Sequence, residues 1–181
     1  MQAPGRIMAG PPIRGRVGTA IVAGLLLLAV GLAAFAVWFQ WLQTRRCLGF
    51  YGAAVARRIQ AAERVELWRL GWDESRHRPV VAERLDVSRA GGLVHLRRGL
   101  VEDANFTWED ASRSIRLPEG AWDEALAFFG PAADAAPTVL AFDLDTPAAI
   151  TVVGSPGRVT LGRIAGGLKT WIAATRTAAR P

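Results

Sequence analysis

The sequence has few residues of the kinds that build covalent or metal-bound frameworks. It contains one cysteine, Cys47, and two histidines among 181 residues. A single cysteine cannot form an internal disulfide, and no C-x-x-C spacing or cysteine–histidine cluster is present to bind zinc. We therefore expect no metal, no cofactor, and a fold held together by its apolar core.

Charge is missing from a long stretch near the N-terminus. No charged residue occurs between Arg16 and Arg45. The intervening segment exceeds the about 20 apolar residues that cross a bilayer as a helix. Trp38 and Trp41 at its end are typical of an aromatic belt at a membrane interface. We predict a transmembrane helix at residues 17–42 that anchors the chain in the lipid bilayer.

The same segment has an alternative interpretation as a cleaved signal peptide. Ala34-Phe35-Ala36 fits the small-x-small pattern of a cleavage site. Retention is favoured because apolar residues continue through Leu42. Cleavage would leave a mature chain that begins at Val37 with an exposed apolar end.

The basic tail at residues 1–16 carries arginines and no acid, which favours a cytoplasmic N-terminus. Basic residues on the two sides of the helix are similar in number, so the assignment rests on resemblance to an uncleaved export signal. The chain has 22 Lys+Arg, of which only Lys169 is lysine, and this bias is typical of GC-rich bacterial genes. We expect a single-pass protein of the inner (cytoplasmic) membrane with an extracytoplasmic soluble domain.

The formal net charge of +6 does not indicate a nucleic-acid partner. Five of the arginines flank the apolar segment, and after residue 46 there are 17 basic against 16 acidic residues. A nucleic-acid-binding domain concentrates positive charge on its folded part. We therefore expect no nucleic-acid binding.

Small residues recur within the predicted transmembrane helix. Gly24 and Gly31 are seven positions apart and lie on one side of a helix, where another helix could approach closely. We expect partners among other membrane proteins, or self-association through this Gly24/Gly31 face.

A membrane-proximal amphipathic helix is predicted at residues 43–64. Its apolar stripe should dock on the soluble domain rather than on lipid. The stripe comprises Leu48, Tyr51, Val55, Ile59 and Ala62.

The remaining residues, 65–178, are predicted to form one small soluble domain. Strands separated by tight turns in its second half indicate antiparallel pairing. We expect an α+β fold: a mixed or antiparallel sheet with two or three helices packed on one face. The predicted strands are 65–70, 80–87, 106–108, 114–117, 138–144, 149–153 and 158–161; the loop is 71–79; the helices are 89–102, 122–129 and one from residue 163.

One motif invites an enzymatic interpretation. Phe142-Asp143-Leu144-Asp145-Thr146 resembles the first motif of haloacid-dehalogenase-type phosphatases, in which the first Asp is the nucleophile and the second an acid–base. That family also needs a lysine and a further acidic pair downstream, within a parallel sheet. No acid follows Asp145, so the resemblance stops at these residues.

Other candidate residues favour structural roles. Gly162 to Thr170 reads G-x-x-x-x-G-L-K-T, where Leu168 separates the glycine from the lysine that a phosphate-binding loop needs. The paired glycines before it are expected to allow close helix packing. His77 lies between two arginines that disfavour its protonation, and His95 is expected to be partly buried in a helix.

These features predict a non-catalytic, membrane-anchored interaction or assembly module with no catalytic residue. The alternative is a small carboxylate-dependent hydrolase using Asp143 or Asp145. A cleft that joins these acids with His95 would favour the hydrolase. On the last helix, Trp171 should be buried with Ile164, Leu168 and Ile172.

Overall fold

The computed structural model describes residues 13–75, 78–108, 122–131, 136–145 and 147–179. The chain divides into two compact units, Met1–Leu42 and Gln43–Pro181. The predicted α+β class is confirmed: one long apolar helix is followed by an antiparallel sheet and three further α-helices. The predicted strand at 114–117 lies outside the described residues.

The first unit consists of the apolar part of helix α1, Ile13–Tyr51. Its large side chains are exposed, with Leu27 at 74%. Among the described residues this is the one helix long and apolar enough to cross a membrane, with a mean hydropathy of 2.7 in its most apolar window. Length and composition alone also fit a signal sequence, so they confirm only that the segment could span a bilayer.

The last turns of α1 belong to the second unit and form part of its core. Cys47 is fully buried and Tyr51 nearly so. Gly52, with a φ of 76°, ends α1, and α2 follows at Ala53–Ala61. Ile59 of α2 is also fully buried. The predicted docking of this apolar stripe on the domain is therefore confirmed.

Asp103 holds the end of α1 in place. Its two carboxylate oxygens accept hydrogen bonds from the backbone N–H groups of Arg46 and Cys47, at 2.9 and 2.8 Å. Its carbonyl accepts the indole N–H of Trp108 at 2.8 Å. Trp108 also belongs to an aromatic cluster with Phe106, Tyr51 and Phe50.

Seven strands form one sheet in the order β2-β1-β4-β5-β6-β7-β3, and every neighbouring pair is antiparallel. The strands are β1 Arg64–Asp73, β2 Arg78–Asp86, β3 Phe106–Thr107, β4 Glu124–Phe129, β5 Thr138–Asp143, β6 Ala149–Val152 and β7 Val159–Leu161.

The core lies between one face of this sheet and the helices. Besides α2, these are α3 Leu93–Gly99, a 3₁₀ turn at Asp103–Asn105, and α4 Ile164–Ala178. Side chains alternate along a strand, so every second strand residue points into this layer. The largest fully buried side chains include Leu67, Leu126, Phe128, Leu140, Phe142, Ile150 and Leu168.

Four of the predicted elements were wrong in type or extent. The predicted helix at residues 43–64 is the end of α1 followed by α2, separated by Gly52, and Arg64 already belongs to β1. The predicted helix at residues 122–129 is strand β4, whose central residues Ala125–Phe128 are all fully buried. The predicted loop at residues 71–79 is partly strand, because β1 and β2 pair out to Asp73 and Arg78. The predicted helix at 89–102 begins only at Leu93, after Gly92 with a φ of 80°.

Several side chains differ from their expected environment. His95 is exposed rather than partly buried. Trp171 is half-buried, with its indole N–H donating to the Gly91 carbonyl at 2.8 Å, although Leu168 and Ile172 are buried as predicted. Gly166 and Gly167 do not provide close packing, because a Cβ at either position would meet nothing within 4 Å.

Candidate functional site

The face of the sheet opposite the helices has a floor of small residues. Trp68 of β1 pairs with Ala125 of β4, which pairs with Ala141 of β5, which pairs with Thr151 of β6. Paired residues project to the same face of a sheet. Since Leu67 and Leu126 point into the core, this row points away from it.

A groove of about 370 Å³, which we call the outer-face groove, is lined by Trp68, Ala141 and Thr151 of this row and by larger neighbouring side chains. Ala125 lies fully buried beneath them. Most of the groove's lining residues are apolar. Val153, which is 58% exposed, forms part of its wall. The lining residues are Trp68, Leu70, Pro79, Val81, Trp122, Val139, Ala141, Thr151, Val152, Val153, Gly154 and Ser155.

Trp68 is held in position before any ligand arrives. Its indole N–H donates to a carboxylate oxygen of Glu66 at 2.8 Å. The guanidinium of Arg84 lies over its ring, 5.1 Å from the centroid. A fixed, half-buried tryptophan offers a large apolar surface at little entropic cost on binding.

A carboxylate triad adjoins this groove. A side pocket of about 170 Å³ shares Leu70, Pro79 and Trp122 with the groove and adds Asp123. Carboxylate oxygens of Asp123, Asp143 and Asp145 lie within 4.8 Å of one another. The pairing of β4 with β5 creates the triad, because the Asp123 N–H donates to the Phe142 carbonyl beside Asp143.

The three carboxylates repel one another. Partial burial raises the pKa of Asp123, and the charges of Asp145 and Asp143 raise it further. The Asp143 carboxylate accepts the backbone N–H of Asp145 at 3.0 Å, which fixes the turn after β5. No cation among the described residues pairs with any of the three. The triad is therefore a local excess of negative charge.

Chemically, such oxygens suit hard cations and positively charged side chains. Asp123, Asp143 and Asp145 are the residues that could contact a divalent ion, although Asp123 and Asp145 are exposed and calcium prefers six to eight oxygens. His95 does not join them, since it lies on α3 in the layer that covers the opposite face. The predicted pair of acids thus meets a third acid, which the sequence did not identify.

A larger groove of about 860 Å³ runs beside α4. Its lining includes Trp171 and Leu85 together with charged residues of both signs, Glu63, Arg64 and Arg89. Such a mixed rim defines no single complementary charge. The outer-face groove, with an apolar lining and acids at one side, has the more specific chemistry.

The remaining candidates occupy structural positions or lie outside the described residues. Lys169 is exposed on α4. His77 falls outside the part of the chain that the structure describes.

Comparison of the chain with protein-family models, with curated proteins and with solved structures finds no match.

Proposed function

We propose that this chain is a membrane-anchored, non-catalytic interaction or assembly module. The observation that carries the proposal is the dual character of α1. The apolar part of the helix is exposed over its length, whereas its last turns, with Cys47 and Tyr51, are buried in the soluble domain. A helix that ends as part of a domain core is suited to hold that domain at the bilayer.

The same observation supports retention over cleavage. A cut after Ala36 would leave Val37, Trp38 and Phe39 at the new terminus, and these side chains are 70%, 54% and 49% exposed. A soluble mature protein would carry this apolar patch in water, which is unfavourable. Inner-membrane residence with an extracytoplasmic domain is part of the proposal.

Alkaline extraction of membranes, combined with mass spectrometry of the N-terminus, tests this proposal. We expect the chain to remain in the membrane pellet with its N-terminal segment intact. Leu27→Arg should impair insertion, since a central charge costs about 2.5–3.5 kcal/mol on insertion scales, whereas Leu27→Ala should not. Release of a chain that starts at Val37 would identify a cleaved export signal instead.

We further propose that the partners include other membrane helices, or a second copy, at the Gly24/Gly31 face. A Cβ at either glycine would meet nothing within 4 Å, so bulkier side chains there would leave the monomer intact. Gly24→Ile with Gly31→Ile should reduce energy transfer between labelled copies in liposomes. Ala23→Ile with Val30→Ile provides the control on another side of the helix.

The alternative, a small carboxylate-dependent hydrolase, is supported by the convergence of Asp143 and Asp145 with Asp123. It is the weaker proposal, because paired catalytic acids need environments that separate their pKa values, and Asp123 and Asp145 are exposed. Hydrolysis of p-nitrophenyl phosphate that is lost in Asp143→Asn would favour it. If Asp143→Asn causes no loss of hydrolysis, the interaction module is favoured.

A further inference from the structure

We propose that the outer-face groove binds a short basic, amphipathic peptide segment of a partner protein. Apolar side chains of the segment would lie in the groove against Trp68, Trp122 and Val153. A lysine or arginine at one end would reach the carboxylate triad. The inference rests on the proposed function as an interaction module and specifies what the module recognises.

The apolar half of the argument is the composition of the groove. Most of its lining residues are apolar, and Thr151 and Ser155 are the lining residues that carry hydroxyl groups. Trp68 and Trp122 stand at its sides, and tryptophans in partly desolvated pockets dominate many peptide interfaces. The volume of about 370 Å³ accommodates a few side chains rather than a whole domain face.

The charged half of the argument is the carboxylate triad. Several other acids of the domain have basic partners: Glu124 and Glu83 bind Arg176, and Glu102 binds Arg98. Asp123, Asp143 and Asp145 have no such partner among the described residues and lie within 4.8 Å of one another. Asp123 also lines the side pocket next to Trp122. A cationic side chain would relieve their repulsion on binding.

This charge also selects among classes of ligand. Anionic lipid headgroups and nucleic-acid phosphates would be repelled by three carboxylates. A free metal ion would use the triad and leave the apolar groove unfilled. A peptide that combines apolar and basic residues complements both parts at once.

The test uses the full chain in detergent micelles and two fluorescein-labelled peptides. One peptide carries four apolar residues, a mixture of leucine and valine, followed by three lysines. The other peptide carries glutamates in place of the lysines. Anisotropy should show saturable binding of the basic peptide only, weakened several-fold between 50 and 300 mM salt. Equal binding of both peptides, or no saturable binding, would overturn the proposal.

Two pairs of variants locate the interaction. Val153→Arg should weaken binding about tenfold or more by placing a cation in the groove, whereas Val94→Arg, at a 76% exposed valine on α3, should not. Asp143→Asn with Asp145→Asn should have a similar effect, whereas Glu63→Gln should have none. Concentration-dependent self-association that Val153→Arg abolishes would assign the groove to a second copy and overturn the peptide proposal.

The two proposals fail in distinguishable ways. If the basic peptide does not bind while the chain resists alkaline extraction, the groove assignment is wrong and the anchored module stands. If the chain is released from membranes with a processed terminus, the anchored module is wrong whatever the peptide does.

Discussion

Gly92 favours glycine both through its backbone conformation and through a close neighbour. Its φ of 80° begins the turn into α3, and a Cβ there would lie 3.3 Å from the Cδ1 atom of Trp171. The left-handed conformation costs other residues about 1–2 kcal/mol. The close indole ring also explains why Trp171 stays half-buried: it covers the Gly91–Gly92 turn instead of entering the core.

We therefore expect Gly92→Ala to lower the free energy of unfolding by about 1–2 kcal/mol. Gly91→Ala is the matched control, because a Cβ at Gly91 meets nothing within 4 Å and its φ is not positive. Urea unfolding of the detergent-solubilised chain, followed by tryptophan fluorescence, measures both. Equal losses in the two variants would show that the turn tolerates a side chain at position 92.

The triad makes a second prediction at the residue scale. The pKa of Asp123 is raised by burial and by the charges of Asp145 and Asp143. A carboxyl whose folded-state pKa is raised favours folding below its unfolded pKa, and this contribution is lost as the pH rises through the folded pKa. At neutral pH the ionised triad therefore disfavours the folded state.

Asp145→Asn should then lower the pKa of Asp123 and increase stability at pH 7, with a smaller gain at low pH, where protonation of Asp123 removes its repulsion. NMR titration of the Asp123 side chain and unfolding at the two pH values measure these changes. A loss of stability at pH 7 would mean that Asp145 has an attractive partner. The proposed cationic ligand would relieve this repulsion on binding.

At the scale of elements, Arg176 joins α4 to the sheet. Its guanidinium contacts Glu124 of β4 and Glu83 of β2, and Arg69 lies 3.6 Å from the same Glu83. The side chains of Arg176 and Glu124 are only 10% and 12% exposed. Removing one member would leave a largely desolvated charge without its partner.

Arg176→Met should accordingly lower the free energy of unfolding by about 2–3 kcal/mol. This is somewhat less than the loss expected for a fully buried pair, because Glu83 is half exposed. The double variant, Arg176→Met with Glu124→Gln, should lose less stability than the two single variants lose together. The control cycle is Arg98 with Glu102, an exposed i,i+4 pair expected to contribute about 0.3–0.5 kcal/mol. A coupling energy as small as that of the control would contradict the assigned role of Arg176.

The elements that the sequence predicted correctly are those with a clear period. Strand β5 alternates, and α4 carries its stripe at helical spacing, so local pattern was sufficient. Strand β4 was misread because it is buried on both faces and rich in alanine, a residue that favours helices. Its neighbours in the sheet override that preference, and they cannot be read from a local window.

The candidate site could not be predicted from the sequence for the same reason. Asp143 and Asp145 attracted attention as a motif, but Asp123 joins them only through the pairing of β4 with β5. Trp68 and Ala125 form one surface only through the register of β1 against β4. An interpretation that made residues 122–129 a helix could not bring these side chains together.

At the scale of the whole molecule, the core of the domain begins within α1. Cys47 and Tyr51 of α1, and Ile59 of α2, pack with Leu67 and Phe128 in one apolar cluster. A fragment that starts at residue 64 would lack Cys47, Tyr51 and Ile59. It would also lack the backbone N–H groups of Arg46 and Cys47 that donate to Asp103. The sequence placed the start of the soluble domain at residue 65, but this packing favours residue 43.

We expect a fragment of residues 43–181 to unfold cooperatively and to show dispersed amide NMR signals. A fragment of residues 64–181 should aggregate or give poorly dispersed signals, because removal of several large buried side chains costs about 2–5 kcal/mol for each. A folded 64–181 fragment of similar stability would show that the end of α1 only rests on a complete core.

The last prediction is the side of the membrane on which the domain lies. Arg6, Arg14 and Arg16 would have to cross the bilayer if the N-terminus were outside, whereas a long C-terminal domain is exported largely regardless of its charge. We therefore expect the domain to be extracytoplasmic. Native Cys47 does not interfere with cysteine labelling, because it is fully buried.

Val94→Cys and Gln2→Cys form a reciprocal pair of reporters for this orientation. Position 94 is 76% exposed on α3, and position 2 lies in the basic tail. In intact spheroplasts, a membrane-impermeant maleimide should label Val94→Cys and should label Gln2→Cys only after lysis. The opposite pattern would place the domain in the cytoplasm, and labelling of both positions before lysis would indicate leaking cells or mixed insertion. One reporter precedes the apolar helix in the chain and the other follows it. If that helix crosses the bilayer once in every molecule, one reporter must be protected and the other exposed.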